Sequence, residues 1–180
     1  MNYIDYLYSS VKSIQDFPKV GVLFRDVTSL CEDPKAFPIM CELMANEFKD
    51  RGITKVVGTE ARGFVFGAAV AAKLNCGFVL VRKPGKLPRE AYQETYELEY
   101  GMDTLEMHMD ALNENDRVLI VDDLIATGGT IEAAIKLVSK TKAEIVGCSF
   151  AIALPDLGGV ELVEKKYSLP CVSVLTFPGH

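Results

Sequence analysis

Residues 118–130, VLIVDDLIATGGT, constrain this chain more than any other stretch. Val118, Leu119, Ile120 and Val121 form an apolar run with β-branched members, which suits a strand covered on both faces of a parallel sheet. The run ends in two carboxylates, Asp122 and Asp123, at the carboxyl end of the strand, where open α/β sheets place their ligands. Residues 126–130 (ATGGT) then turn into a helix. Gly128 and Gly129 permit positive φ and close approach to an anion, Thr127 and Thr130 offer hydroxyl donors, and the helix start adds unpaired N–H groups. Paired carboxylates accept hydrogen bonds from a vicinal diol. Acids followed by a phosphate cradle therefore describe a receptor for a sugar phosphate.

The rest of the chain supplies an α/β frame for that receptor. Ile4, Leu7, Tyr8, Val11 and Ile14 predict a helix over residues 2–14, stopping before Pro18. Residues 16–26 (DFPKVGVLFRD) are extended, apolar and broken by Pro18 and Gly21, which fits either a cover over a ligand or a packed N-terminal arm. Asp33 and Pro34 start a helix that carries Phe37, Met40, Cys41, Met44 and Phe48 and stops at Gly52. Residues 54–58 predict a buried strand, 64–74 an apolar helix, 78–81 a strand and 104–108 a half-buried strand. A helix over 129–141, a strand over 145–154, a short helix over 158–167 and a last strand over 171–175 complete the order. Alternating strands and helices predict a mostly parallel sheet, in one domain of 180 residues.

Two further loops carry charge toward ligands. Gly58 and Gly63 have the spacing of a nucleotide-triphosphate loop, but Phe64 and Val65 stand where Lys and Ser or Thr are required, so that motif is rejected. What remains is Arg62 at the end of a strand, able to grip a phosphate bidentately or to form a surface ion pair. Arg82, Lys83, Lys86 and Arg89 follow the next strand, threaded through Pro84, Gly85 and Pro88. Prolines and a glycine forbid a regular helix there, and the length suggests a lid. Alone, the run would be a solvated basic hairpin; beside an acid-rich receptor it suggests a ligand with more charge than one phosphate.

A net charge of −6 argues against a general nucleic-acid or membrane-surface binder, so anion sites must be local. Five cysteines without C-x-x-C spacing indicate neither zinc nor a disulfide framework and suit a reducing cytosol. The opening MNYIDYLYSS lacks the pattern of a signal peptide, and no stretch approaches the ~18 apolar residues of a membrane span. The expectation is a cytoplasmic protein.

Two acids after an apolar strand, followed by A-T-G-G-T, resemble the type I phosphoribosyltransferases. Four segments in order, FPKVGVLFRDVTSL, VVGTEARGF, VRKPGKLPREAYQETYELEYG and VLIVDDLIATGGT, extend the resemblance over nearly the whole chain, to the adenine-using branch of that family. The resemblance implies the type I phosphoribosyltransferase fold, an α/β arrangement with a mostly parallel central sheet flanked by helices. It also implies an N-terminal arm and hood over residues 1–30 and a flexible lid loop over 82–104. The implied reaction converts adenine and phosphoribosyl pyrophosphate to AMP and pyrophosphate, with Mg²⁺, in a homodimer.

By the same resemblance the 5′-phosphate sits on Ala126, Thr127, Gly128, Gly129 and Thr130, and Asp122 and Asp123 meet the ribose hydroxyls directly or through Mg²⁺. Pyrophosphate falls to Glu60, Ala61, Arg62, Arg82 and Lys83, with Arg82 reaching a neighbouring subunit. Adenine falls to Leu23, Phe24 and Arg25, with Leu124 and Ile125 as either pocket floor or plain packing. Arg62 and Lys83 stabilise the leaving charge, and Glu99 handles the proton at the purine N7; His108 and His180, in no loop that converges on the site, are expected to be structural. Other bases (hypoxanthine, guanine, xanthine, orotate) and a regulator that senses phosphoribosyl pyrophosphate are the alternatives; the regulator should carry a basic face, which this chain lacks.

Overall fold

The computed structural model describes residues 2–98 and 100–178. In chain order its elements are α1 (Tyr3–Ser10), β1 (Lys12–Gln15), β2 (Leu23–Asp26), α2 (Val27–Glu32), α3 (Ala36–Asn46), β3 (Lys55–Thr59), α4 (Arg62–Lys73) and β4 (Gly77–Val81). There follow β5 (Ala91–Leu98), β6 (Gly101–His108), β7 (Arg117–Ile125), α5 (Gly129–Ser139), β8 (Glu144–Ala153), a 3₁₀ turn (Pro155–Leu157), α6 (Gly159–Lys166) and β9 (Cys171–Thr176).

Five strands make the central sheet in the order β4-β3-β7-β8-β9, all parallel, as the alternating sequence predicts. Side chains alternate across it. Val56, Leu119 and Val121 pack with Leu7, Leu30, Met40, Phe48 and Phe66 of the helices on one face. Val57, Val118 and Ile120 pack with Ile135, Leu137 and Val163 on the other. Burial on both faces explains why these strands read as unbroken apolar runs.

The strand order reverses between β3 and β7. From β3 the chain moves outward through α4 to β4, and from β7 it moves the other way through α5 to β8. A crevice opens at the carboxyl ends of two strands whose connections diverge, and ligands of open α/β sheets bind there. β3 stops pairing with β7 at Gly58↔Val121, whereas the β8 ladder runs on to Ile125↔Ala153. Asp122 and Asp123 thus follow directly on the last pair shared with β3.

Two segments differ from the sequence reading. The N-terminal helix ends at Ser10, and Lys12 to Gln15 pair antiparallel with Leu23 to Asp26 instead of completing it. The Ser9 and Ser10 hydroxyls donate to the Tyr6 and Leu7 carbonyls, at 2.6 and 2.7 Å, and the β-branched Val11 leaves in extended conformation. The lid stretch is a two-stranded ribbon, β5 against β6, from Ala91↔His108 to Leu98↔Gly101. Tyr92, Glu94 and Tyr96 are half-buried while Gln93, Thr95 and Glu97 are exposed, an alternation of period two that marks a strand. Asp33 caps as expected, accepting from the N–H groups of Lys35 and Ala36, although α3 itself begins at Ala36.

Candidate active site

A cleft of about 360 Å³ lies at the strand-order reversal, lined by Glu60, Ala61, Arg62, Gly63 and every residue from Asp122 to Ile131. Both α4 and α5 begin in this lining, so two helix N-termini with their unpaired N–H groups meet at one cavity. Both strand-to-helix turns are visible in the sequence, and α4 starts at Arg62, two residues before the expected Phe64. The signal was present in the A-R-G-F run directly after an apolar strand.

The acid pair is held tightly. Asp123 is 5% exposed, and its N–H donates to Asp122 Oδ1 at 2.8 Å. Asp123 Oδ2 is buried without an aligned hydrogen bond and lies 2.8 Å from Arg62 Nε, a contact of charges across the cleft. Burial, and then the adjacent charge of Asp123, push the Asp122 carboxyl well above the usual carboxylate range. Asp122 also presses on the start of α4, since a Cβ at Gly63 would stand 2.6 Å from its Oδ1. Gly63→Ala is accordingly expected to displace the acid pair and lower kcat/KM by about 10- to 100-fold, the scale of one or two charged hydrogen bonds, with melting temperature as the control for folding.

The turn after β7 departs from expectation at one glycine. Gly128 adopts φ of +97°, but Gly129 is the first residue of α5, and a Cβ there would stand 3.3 Å from Cδ2 of the Tyr96 ring. Beneath the turn lies Gly159, which no sequence argument singled out. Its N–H donates to the Ala126 carbonyl at 2.9 Å, and a Cβ there would meet that oxygen at 2.6 Å and Gly128 N at 3.0 Å. The paired glycines at 158 and 159 after Pro155 were a turn signal, but their contact with residues over 30 positions away was not legible.

The expected site residues Arg82, Lys83, Leu23, Phe24 and Arg25 stand outside the lining. Lys83 donates to Asp103 on β6, and its N–H to Glu60 Oε1 at 2.8 Å. Arg82 Nε and Lys86 Nζ also hold Glu60, at 3.2 and 3.3 Å. Burial alone would raise Glu60, but the Lys83 N–H and these two cations outweigh it and keep the carboxyl below its ordinary value. Leu23, Phe24 and Arg25 lie on β2, with Phe24 edge-on to Phe17 at 5.1 Å and Arg25 stacked over Phe177 at 4.6 Å. Leu124 and Ile125 line the cleft and also pack into the core. Glu99 and His180 lie outside the described residues. His108 accepts from the Arg89 N–H at 3.3 Å.

Comparison with known proteins adds independent findings. Residues 26–171 match the phosphoribosyl transferase domain. A protein of Escherichia coli (strain K12 / DH10B) named adenine phosphoribosyltransferase is 58% identical over 177 residues, covering 98% of this chain and 96% of that protein. The crystal structure of adenine phosphoribosyltransferase from Rhodothermus marinus superposes with a TM-score of 0.89 at 44% identity, over 97% of this chain and 98% of that one. The Saccharomyces cerevisiae enzyme, complexed with an imino-altritol bisphosphate and adenine, gives 0.88 at 36%, over 96% and 98%.

Proposed function

The chain belongs to the adenine phosphoribosyltransferases, and from that premise we propose how its cleft turns adenine and phosphoribosyl pyrophosphate into AMP and pyrophosphate. The observation that carries the reading is the juxtaposition, at one strand-order reversal, of the Asp122–Asp123 pair, the Gly128 turn and Arg62. The 5′-phosphate takes the N–H groups at the start of α5 and the hydroxyls of Thr127 and Thr130. The ribose hydroxyls donate to Asp122 and Asp123. The diphosphate takes the start of α4, around Ala61 and Arg62.

As the bond from the anomeric carbon to the diphosphate oxygen breaks and a ring nitrogen of adenine bonds to that carbon, positive charge builds on the ribose and negative charge on the leaving group. Arg62 is the cation in the lining that meets the leaving charge. In moving from Asp123 to a phosphate oxygen it releases that carboxylate for a ribose hydroxyl, so diphosphate and ribose are bound in concert. Leu124 and Ile125 give the cleft an apolar wall suited to a purine, and the β1–β2 hairpin with Phe24 is read as the hood. The proton at N7 is assigned to Glu99 from the resemblance of its LEYG motif. Glu99→Gln is expected to keep substrate binding and lower kcat by about 10² to 10⁴, the usual worth of a general acid or base. Turnover at the wild-type rate would remove the assignment.

The acid pair also suits Mg²⁺ held indirectly. Two adjacent carboxylates facing the cleft, with Asp123 Oδ2 buried without a hydrogen-bond partner among the described residues, suit an ion that keeps its waters. Asp122 and Asp123 would hold it through water or the ribose hydroxyls. When bound, Mg²⁺ supplies charge neutralisation for the leaving diphosphate.

A homodimer is part of the proposal, supported by β4 as a sheet edge with Leu80 38% exposed beside an α4 that exposes Val65 at 46%. A cytoplasmic setting is supported by five free cysteines. No helix among the described residues is long and apolar enough to cross a membrane. The reaction is tested by incubating the protein with phosphoribosyl pyrophosphate and adenine, hypoxanthine, guanine, xanthine or orotate separately. AMP with adenine and no nucleotide with the others is the expected result, and equal use of another base would overturn it.

A further inference from the structure

The cations bordering the cleft are already engaged by carboxylates. Arg62 meets Asp123, and Arg82 and Lys86 meet Glu60. In these pairs the acid belongs to the cleft lining, so an arriving diphosphate competes on the spot. Lys83 is different, because its ammonium is held by Asp103, which stands on β6 outside the lining.

Asp103 is in turn tied to the opposite rim. It is the register partner of Tyr96, whose hydroxyl donates to the same Asp103 Oδ2 at 3.3 Å. The Tyr96 ring lies against Gly129, the first residue of α5. On the other side the Lys83 N–H is fixed to Glu60 Oε1 at 2.8 Å. A continuous chain of contacts thus runs from Glu60 in the loop before α4, through Lys83, Asp103 and Tyr96, to the turn at the start of α5.

Resting on the reaction proposed above, we propose that Asp103 is a positioning residue that stores the Lys83 ammonium on the hairpin and yields it to the diphosphate group. Asp103 touches no reacting atom; it acts by setting how readily Lys83 is released. The side chains of Lys83 and Asp103 are 41% and 25% exposed, so water screens the pair and its release is cheap, as it would not be for a deeply buried pair. The Lys83 donation to Asp103 favours both charged forms, raising the ammonium and lowering the carboxyl, so the pair stays ionised near neutrality. The exchange is one carboxylate oxygen for a phosphate oxygen, with no proton transferred.

The test compares wild type, Asp103→Asn, Asp103→Ser, Asp103→Glu, Lys83→Ala and the double variant Lys83→Ala/Asp103→Asn. AMP formation by wild type is measured first; its failure retracts the reaction itself, and AMP formation without the shifts below retracts only the role of Asp103. In Asp103→Asn and Asp103→Ser, KM for phosphoribosyl pyrophosphate and the inhibition constant of pyrophosphate are expected to fall together by about two- to fivefold, the range of a partly exposed ion pair. KM for adenine should stay unchanged, and Asp103→Glu should restore wild-type values. Lys83→Ala should weaken pyrophosphate, and adding Asp103→Asn to it should change nothing further. Wild-type pyrophosphate inhibition in both neutral variants, the same shift without Lys83, or a uniform change in every constant would each overturn the proposal.

Discussion

Asp122→Asn is expected to lower kcat/KM by about 10- to 100-fold while raising the melting temperature of the ligand-free protein. The loss follows from removing one charged acceptor for the ribose hydroxyls, a hydrogen bond worth ~1.5–3 kcal/mol. The gain follows from the strain of the acid pair. Asp122 is held against Asp123 and the start of α4, where burial and like charge disfavour its ionised form. Because its folded affinity for a proton exceeds the unfolded one, its contribution to stability is complete below the unfolded pKa of about 3.9 and fades as pH rises through the raised folded value. An amide keeps the Asp123 N–H acceptor and removes the repulsion at neutral pH. Relief of ~1 kcal/mol corresponds to about 2–4 °C for a chain of this size. The stability difference between variant and wild type should shrink toward acid pH, in melting curves taken without substrate. A variant less stable than wild type at neutral pH would contradict the account of the pair.

Gly128→Ala is expected to weaken phosphoribosyl pyrophosphate and AMP by about 10²-fold or more, with little effect on pyrophosphate alone. Its φ of +97° excludes ordinary L side chains, and a Cβ there would meet Leu162 Cδ2 at 2.9 Å and Gly159 Cα at 3.1 Å. The turn cannot move away, because the Gly159 N–H holds the Ala126 carbonyl from below. Misplacing several charge-assisted donors at once, each worth ~1.5–3 kcal/mol, gives the expected size. In the proposed site pyrophosphate would take the other helix start, at α4, which the substitution leaves alone. Calorimetric titration with AMP and with pyrophosphate separates the two helix ends.

The sheet and the gathering of residues 122–130 at one cleft were legible because they are local. An apolar run, two acids and a glycine turn lie within residues 118–130, and burial on both faces leaves its mark on the three inner strands β3, β7 and β8. What escaped the sequence reading depends on distant neighbours. Val11 and Ile14 continue the helical spacing, yet the pairing of residues 12–15 with Leu23 to Asp26 prevailed over it. Gly159 braces a turn that precedes it by about thirty residues, and Lys83 finds its acid on the far side of a hairpin. Side-chain type foretold that cations gather at this end of the sheet. Which carboxylate each cation meets follows only from the fold.

The central claim is that the cleft between β3 and β7 seats the phosphoribosyl group with its phosphate on α5 and its diol on the acid pair. A crystal structure of the complex with AMP tests it most directly. The account predicts the AMP phosphate within hydrogen-bond distance of the backbone of residues 127–130 and both ribose hydroxyls on Asp122 and Asp123. AMP bound elsewhere, or in the cleft with its phosphate at Arg62 and its ribose away from the acids, would contradict it.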